Sequence, residues 1–234
     1  MRSLFLSLSL LLTLNLSAQI IESAGFGLEL YPHLANRRLI AGNTLTFSEI
    51  NRIDSLEMRD FGYGIGVFYA QRSEKIGYHF GLRYLATGYE RARGPVDDNS
   101  GPAGFSEFSE DFITNILEIP FQLNFYQNLG NKSSFYFTLG VAAGIHLNSK
   151  TERTYFSPEG TLTEEFDPEV DYRGVNFALV TAVGYETRLG QNYAVGLQPT
   201  FEYWLGGNVI AEAADINRNL YNLGLRLTLQ RLNY

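Results

Sequence analysis

Along most of this chain, apolar side chains return at every second position, and the pattern recurs in eight separate segments. A period of two means strand, because successive side chains of an extended backbone point to opposite faces. The last segment is the clearest: Tyr221, Leu223, Leu225, Leu227 and Leu229 alternate with Asn222, Gly224, Arg226, Thr228 and Gln230. The same alternation runs through Phe61 to Tyr69, Ile76 to Tyr84, Leu117 to Phe125 and Phe135 to Ile145. Three weaker segments, Ala24 to Leu30, Val175 to Tyr185 and Tyr193 to Leu205, bring the total to an even number. An even number is what a closed antiparallel barrel with both termini on one side requires.

The connections between these segments separate a membrane barrel from a soluble one. Long connections at about 32–58, 91–111, 149–172 and 206–218 alternate with short ones at Ser73-Glu74-Lys75, Gln127 to Ser133 and Gly190-Gln191-Asn192. Outer-membrane barrels show this asymmetry, with the short turns in the periplasm. A soluble, lipocalin-like barrel would turn its apolar side inward and would need fewer outward rings. No segment after the N-terminus offers about 18 consecutive apolar residues, so crossing a bilayer by a helix is excluded. The expected fold is therefore all-β: an eight-stranded antiparallel transmembrane β-barrel of the outer-membrane type.

Tyr31, Tyr69, Tyr84, Tyr89, Phe125, Tyr126, Tyr185, Tyr193, Tyr203, Trp204 and Tyr234 fall near strand ends, as two headgroup-level girdles would require. The ordinary strand preference of Tyr and Phe accounts for part of them. Pro120 and Pro199 sit inside strands, where a missing N–H removes a ladder bond, and they are expected to mark bulges.

Residues 1–18, MRSLFLSLSLLLTLNLSA, read as a secretory signal: one Arg, an apolar stretch from Leu4 to Leu14, and small Ser17 and Ala18 before Gln19. A cut after Ala18 leaves 19–234 as a single barrel domain, although Leu16 is a poor small residue at its position. The other reading of this stretch is a buried N-terminal helix. The expected location is the outer membrane, with termini and short turns periplasmic and long loops extracellular. Aromatics reach 14% and charged residues only 18%, which suits a wall facing lipid. With no cysteine, disulfides, thiol catalysis and Cys-ligated metals are excluded, as is a lipid anchor through an N-terminal Cys. A net charge of −7 gives no support for nucleic-acid binding. Expected partners are outer-membrane lipid and lipopolysaccharide, together with other envelope or secretion proteins.

The string Leu117-Glu118-Ile119-Pro120-Phe121-Gln122-Leu123, followed by Phe125-Tyr126, resembles the "LEIP" strand of the PorT-like outer-membrane β-barrel family of Bacteroidetes-type envelopes. The leader ending Ser-Ala-Gln and the strand-and-turn rhythm from Gln19 to Tyr234 are similar too. The resemblance implies a barrel and, through the family's named type member, an association with machinery that secretes cargo across the outer membrane.

The residues on the other side of the alternation could carry chemistry. His79, Arg83, Glu118, Gln122, Asn124, His146, Glu186, Arg188, Gln198, Glu202 and Arg226 are placed inward, and Arg83, Glu118, Glu186, Arg188, Glu202 and Arg226 are the candidate lumen charge network. Glu118 with Arg83 or Arg226 is the expected pair. An eight-stranded interior is just wide enough for side chains to fill, so the set reads either as a hydrogen-bonded plug or as a gated path for small solutes. His33 and His146 fall near the outer rim, His146 with Ser149 close by, which is the one arrangement that could support acyl transfer. A histidine satisfied by a neighbour is the plainer reading.

Glu152, Glu159, Glu164, Glu165, Asp167, Glu169 and Asp171 crowd the third outer loop and could take Ca²⁺, but their spacing fits no EF-hand and a solvated loop is the simpler alternative. The first outer loop, with Arg37, Arg38, Arg52 and Arg59 among acids, reads as a wet surface on which Arg37-Arg38 could meet a lipid phosphate. Gly62-x-Gly64-x-Gly66 lacks the following helix and Lys-Ser/Thr of a nucleotide loop. With no catalytic motif and no cofactor expected, the leading functional reading is a non-enzymatic structural, interaction or secretion-assembly component. A narrow gated channel, a lipid-modifying or proteolytic enzyme, and a soluble ligand-binding barrel remain as alternatives.

Overall fold

A computed structural model describes residues 22–41, 46–96, 101–166, 171–210 and 216–233, so the expected leader at 1–18 and Tyr234 lie outside the described residues. In chain order the elements are β1 (Ser23–Ala41), helix α1 (Phe47–Leu56), β2 (Glu57–Met58), β3 (Asp60–Arg72), β4 (Ile76–Pro95) and β5 (Glu107–Asn128). They continue with β6 (Ser133–Ser157), β7 (Gly160–Phe166), β8 (Val175–Leu189), β9 (Tyr193–Trp204) and β10 (Ile216–Arg231). Apart from β2 and β7, each strand pairs antiparallel with the next, and β1 pairs with β10. The sheet therefore closes into an eight-stranded barrel with no free edge, and its members are the eight segments expected from the alternation.

The two faces divide as the alternation predicts. On β1, Phe26, Leu28, Leu30 and Leu34 are exposed, while Glu29, Tyr31 and His33 between them are buried. On β10, Leu223, Leu225, Leu227 and Leu229 point out, and Asn222 and Arg226 are fully enclosed. In water such a surface would expose a continuous apolar sleeve, a situation soluble chains avoid. In hydrocarbon it is the stable arrangement, because closing the ladder pairs the backbone groups along both edges that lipid cannot satisfy. The protein is a transmembrane β-barrel of the outer-membrane type.

Three expectations need correction. Pro120 and Pro199 do not mark bulges: pairing stops at Phe80↔Phe121 and resumes at Arg83↔Glu118, and it stops at Ala182↔Thr200 and resumes at Tyr185↔Leu197, with the register unchanged across each gap. A proline thus costs the ladder a bond without inserting a residue. The bulge on β5–β6 lies elsewhere, where the partner jumps from Asn148 opposite Asn115 to His146 opposite Ile116.

The long connections, second, are largely ordered. Strands β4, β5 and β6 run on to Pro95, from Glu107 and to Ser157, and β7 folds back on β6. The connection after β1 contains α1, started by a capping box in which Thr46 and Glu49 exchange side-chain and backbone hydrogen bonds. The Thr46 hydroxyl and amide hold the Glu49 carboxyl below the usual carboxylate range.

The third correction concerns the girdles. Tyr69, Phe125, Tyr185 and Tyr193 do face outward near the short turns, and Tyr63, partly exposed like them, does so nearer the other end. Tyr31 and Trp204 are almost fully buried in the lumen, because they are in phase with Glu29 and Glu202 on their strands. Tyr126 lies under the Arg72 guanidinium, 3.9 Å from its ring centre, and Tyr89 stacks on buried Phe112 at 5.0 Å, so both also belong to the interior.

The Trp204 indole needs a glycine opposite it. A Cβ on Gly144 would run into the indole and come 2.8 Å from Ile116 Cγ2. Trp204 is the chain's single tryptophan and reports on the lumen directly. In bilayers its emission is expected to be blue-shifted and untouched by brominated acyl chains, whereas Gly144→Val should shift it to the red. Strong quenching by brominated lipid would put the ring on the outer wall and contradict the assignment.

Candidate functional site in the barrel lumen

The lumen is filled in layers, and its centre is Arg83. From β4, Arg83 Nη2 donates to Glu118 Oε2 on β5 at 2.5 Å and to Glu202 Oε2 on β9 at 2.6 Å, while its Nε donates to Glu118 Oε2 at 2.8 Å. Its guanidinium also lies 4.6 Å from the ring centre of Tyr31. Space for it comes from β3, whose inward residues include the Gly62, Gly64 and Gly66 row; a Cβ on Gly64 would stand 3.0 Å from Arg83 Cδ. The glycine string thus serves close packing around Arg83.

Arg226 on β10 completes the layer. Its Nη1 donates to Gln122 Oε1 at 2.8 Å and sits 3.7 Å from Glu29 Oε2. Glu29 on β1 also lies 3.5 Å from His79 Nε2 and 4.0 Å from Arg83 Nη1, and neither of its oxygens has a hydrogen bond. Hydroxyls and amides extend the network: Thr87 donates to Asn222 at 2.7 Å, Gln198 to Thr138 at 2.7 Å, and Thr138 to Asn124 at 2.7 Å. Two guanidiniums thus face three carboxylates, all enclosed. Buried charges are tolerated only with such pairing, and removing one partner leaves the others uncompensated.

The layer toward the long connections is apolar. Tyr31, Leu85, Ile116, Val180, Trp204 and Leu220 meet there with Ala142 and Ala178, all 7% exposed or less. Each of Tyr31, Leu85, Ile116 and Trp204 is two residues from a charged member on its own strand, so one pleat repeat separates the charged layer from the greasy one. Beyond it, Glu57 is clamped at the mouth by Arg37 Nε at 2.5 Å and by Arg218 Nη2 at 2.5 Å, with Asp54 on Arg37 at 2.9 Å. The first outer connection is therefore an organised ion cluster at the barrel mouth as well as a wet surface. At the short-turn end Arg72 pairs with Glu186 at 3.2 Å and hydrogen-bonds Ser134 and Asn128.

The six candidate charges do not form one network. Arg83, Glu118, Glu202 and Arg226 share the central layer, and the expected Glu118–Arg83 pair is present. Arg226 reaches Gln122 and Glu29 instead of Glu118. Glu186 and Arg188 lie at the short-turn mouth beside Arg72, Asn128 and Ser134. The member missed from sequence is Glu29, whose signal was its phase: it lies between Leu28 and Leu30 on the only strand recognised from four residues. His33 is not at the rim but buried, stacked on Tyr31 at 4.8 Å. His146 does reach Ser149, Nε2 to Oγ 2.9 Å, and Ser149 also bonds Thr114 Oγ1 at 2.9 Å. No carboxylate pairs with His146 among the described residues; its ring stacks on Tyr172 at 4.9 Å. Glu152, Glu159, Glu164 and Glu165 are spread along the β6–β7 hairpin, where Glu165 takes Lys150 at 3.0 Å; Asp167 and Glu169 lie outside the described residues, and no three metal-ligating side chains converge among the described residues.

No family model matches the chain, and no curated protein matches it. Solved structures with a similar course include Neisserial surface protein A, at 11% identity over 88% of this chain and 97% of that one, TM-score 0.42. Ail, the attachment invasion locus protein of Yersinia pestis, follows at 10% identity over 88% and 97%, TM-score 0.34. The CymD monoaromatic hydrocarbon channel gives 10% identity over 90% and 89%, TM-score 0.26. Likeness at this distance carries no function, and the fold stands on the closed register itself.

Substituting Arg83 by Ala strands Glu118 and Glu202 in the lumen and is expected to cost about 3–5 kcal/mol in urea unfolding. Adding Glu118→Gln to that variant should recover part of the loss. Independent, additive effects would show that the pair does not interact.

Proposed function

We propose that the protein is a non-enzymatic integral component of the outer membrane, acting through its outer surface as a structural or interaction element and not through its lumen. The observation that carries this reading is the double seal: an apolar layer around Trp204 stacked directly on the Arg83 ion cluster. A gated path would have to break several enclosed charge-assisted bonds and displace an indole at once. The surface offered instead is the extension of β4, β5 and β6 past the apolar belt, with exposed and half-buried Arg91, Arg93, Glu107 and Glu110.

The orientation that goes with this places termini and short turns in the periplasm and the extended strands outside, after removal of residues 1–18. A part in assembly or secretion across the envelope is the finer form of the proposal, supported by the PorT-like resemblance of Leu117 to Tyr126. Two residues of that string already have architectural duties here. Glu118 holds Arg83 and Pro120 interrupts the β4–β5 ladder.

A second reading has one observation in its favour, the 2.9 Å contact of His146 with Ser149. It lacks an orienting acid among the described residues, and a hydroxyl with only a neutral imidazole beside it is a weak nucleophile.

The test is recovery of the tagged protein in mild detergent from its native outer membrane. The barrel is expected to stay with the membrane through a carbonate wash and to co-elute with envelope proteins in fixed ratio. Elution alone would remove the interaction role. Labelling by a serine-directed fluorophosphonate that disappears in Ser149→Ala would replace it with an enzyme.

A further inference from the structure

We propose that the outer rim carries a binding site for the phosphate of a membrane lipid, in the groove between α1 and the outer wall of β1, β10 and β9. The inference rests on the reading that the barrel spans a bilayer. The groove holds about 710 Å³ and is lined by Arg38, Asn36, Tyr203, Tyr221, Phe201 and Ile50, and also by the ion-paired Arg37, Asp54 and Glu57.

Charge decides what it takes. Arg37 and Arg218, the inner guanidiniums of this rim, are matched by Glu57 and Asp54. Arg38 is exposed and has no ion-pair partner among the described residues, so among them its guanidinium is the one lining this groove without a matched acid. A guanidinium fork fits the oxygens of a phosphate in a bidentate way.

Height decides the source of that phosphate. Asn36, Tyr221 and Tyr203 are in register across three strands, and Leu34, Leu223 and Phe201 form the outward row immediately below. Those three side chains are 43%, 57% and 41% exposed and belong to the apolar belt. Arg38 stands one outward row above Asn36, two pleat repeats or about 13–14 Å along the strand from the first greasy row, which on a strand tilted by about 40° raises it roughly 10 Å above that row. The tyrosines between them hold the interfacial position that amphipathic rings favour. A phosphate at Arg38 with acyl chains descending over Leu34, Leu223 and Phe201 fits both ends of this gradient, and a free phosphate uses only one. Ile50 on the facing wall adds apolar contact from α1, which is tied to the barrel through Asp54 on Arg37.

The experiment uses the mature chain in phosphatidylcholine nanodiscs containing a minor fraction of phosphatidic acid, with retained lipid counted by native mass spectrometry. Wild type is expected to retain phosphatidic acid selectively. Arg38→Ala should lower that retention about fivefold, the effect of one cation at an anionic surface, and Arg38→Lys, which keeps the charge without the fork, should restore only part of it. Trp204 emission checks that each variant keeps its fold. Equal retention by wild type and Arg38→Ala overturns the site, as does displacement of the lipid by glycerol 3-phosphate at equal concentration, which would mark a site for soluble phosphate. A wild-type chain that does not enter nanodiscs contradicts the membrane reading and the site with it; insertion without Arg38-dependent retention contradicts the site alone.

Discussion

Inside hydrocarbon no water replaces a lost backbone partner, so a chain that crosses with strands must close its ladder on itself. Everything else in this protein follows from how the first strand finds the last. The β1–β10 pairing, from Gly27↔Gln230 to Ala41↔Ile216, joins the two ends of the described chain and removes both sheet edges. Closure with eight strands then dictates a narrow interior, and a narrow interior dictates that side chains fill it. The polar half of each strand has nowhere to go except into that space, which is why Arg83, Arg226, Glu29, Glu118 and Glu202 end up within ion-pair distance in one layer.

The interior carries a chemical gradient along its axis. At the short-turn mouth Arg72 gathers Glu186, Asn128 and Ser134; the central layer is the Arg83 cluster; above it lies the Trp204 layer; and the outer mouth is closed by Glu57 between Arg37 and Arg218. Alternating charged and apolar layers resist both water and ions, since an ion must lose its hydration in the apolar layer and then compete with existing pairs below it. The outside shows a complementary gradient, from the belt of Leu, Phe and Val up to the tyrosines and the exposed Arg38. Inner and outer gradients meet at the rim, where neighbouring arginines divide the work: Arg37 anchors α1, and Arg38 faces outward.

Strand count and facing were readable from sequence because each depends on a period of two, which any window of about ten residues displays; Glu118 was left with Arg83 or Arg226 as its partner, and the Arg83↔Glu118 register chose between them. Girdle membership failed where proximity to a strand end was used instead of phase: Tyr31 and Trp204 alternate with the outward residues and were inward by the same rule that placed Arg83. Glu29 escaped because β1 was read from four apolar positions only. Helix α1 carried a readable signal, Thr46 and Glu49 at capping-box spacing before Ile50 and Ile53, hidden by treating the whole connection as loop. The extension of β4 to β7 had none of comparable strength, since there the strands leave the lipid, the outward positions become polar while rings such as Phe108 and Tyr155 stay buried, and the alternation that marks the belt fades. The splitting of the charge network into two layers needed the register, because sign and facing alone do not give height.

The most direct test of a sealed lumen is single-channel recording of the reconstituted mature chain in a planar bilayer. The structure predicts a silent wild type, with discrete conductance steps emerging only when Trp204 and Arg83 are replaced together by alanine. Regular steps from the wild-type protein would show that the Arg83 cluster and the layer above it open, and would contradict the account.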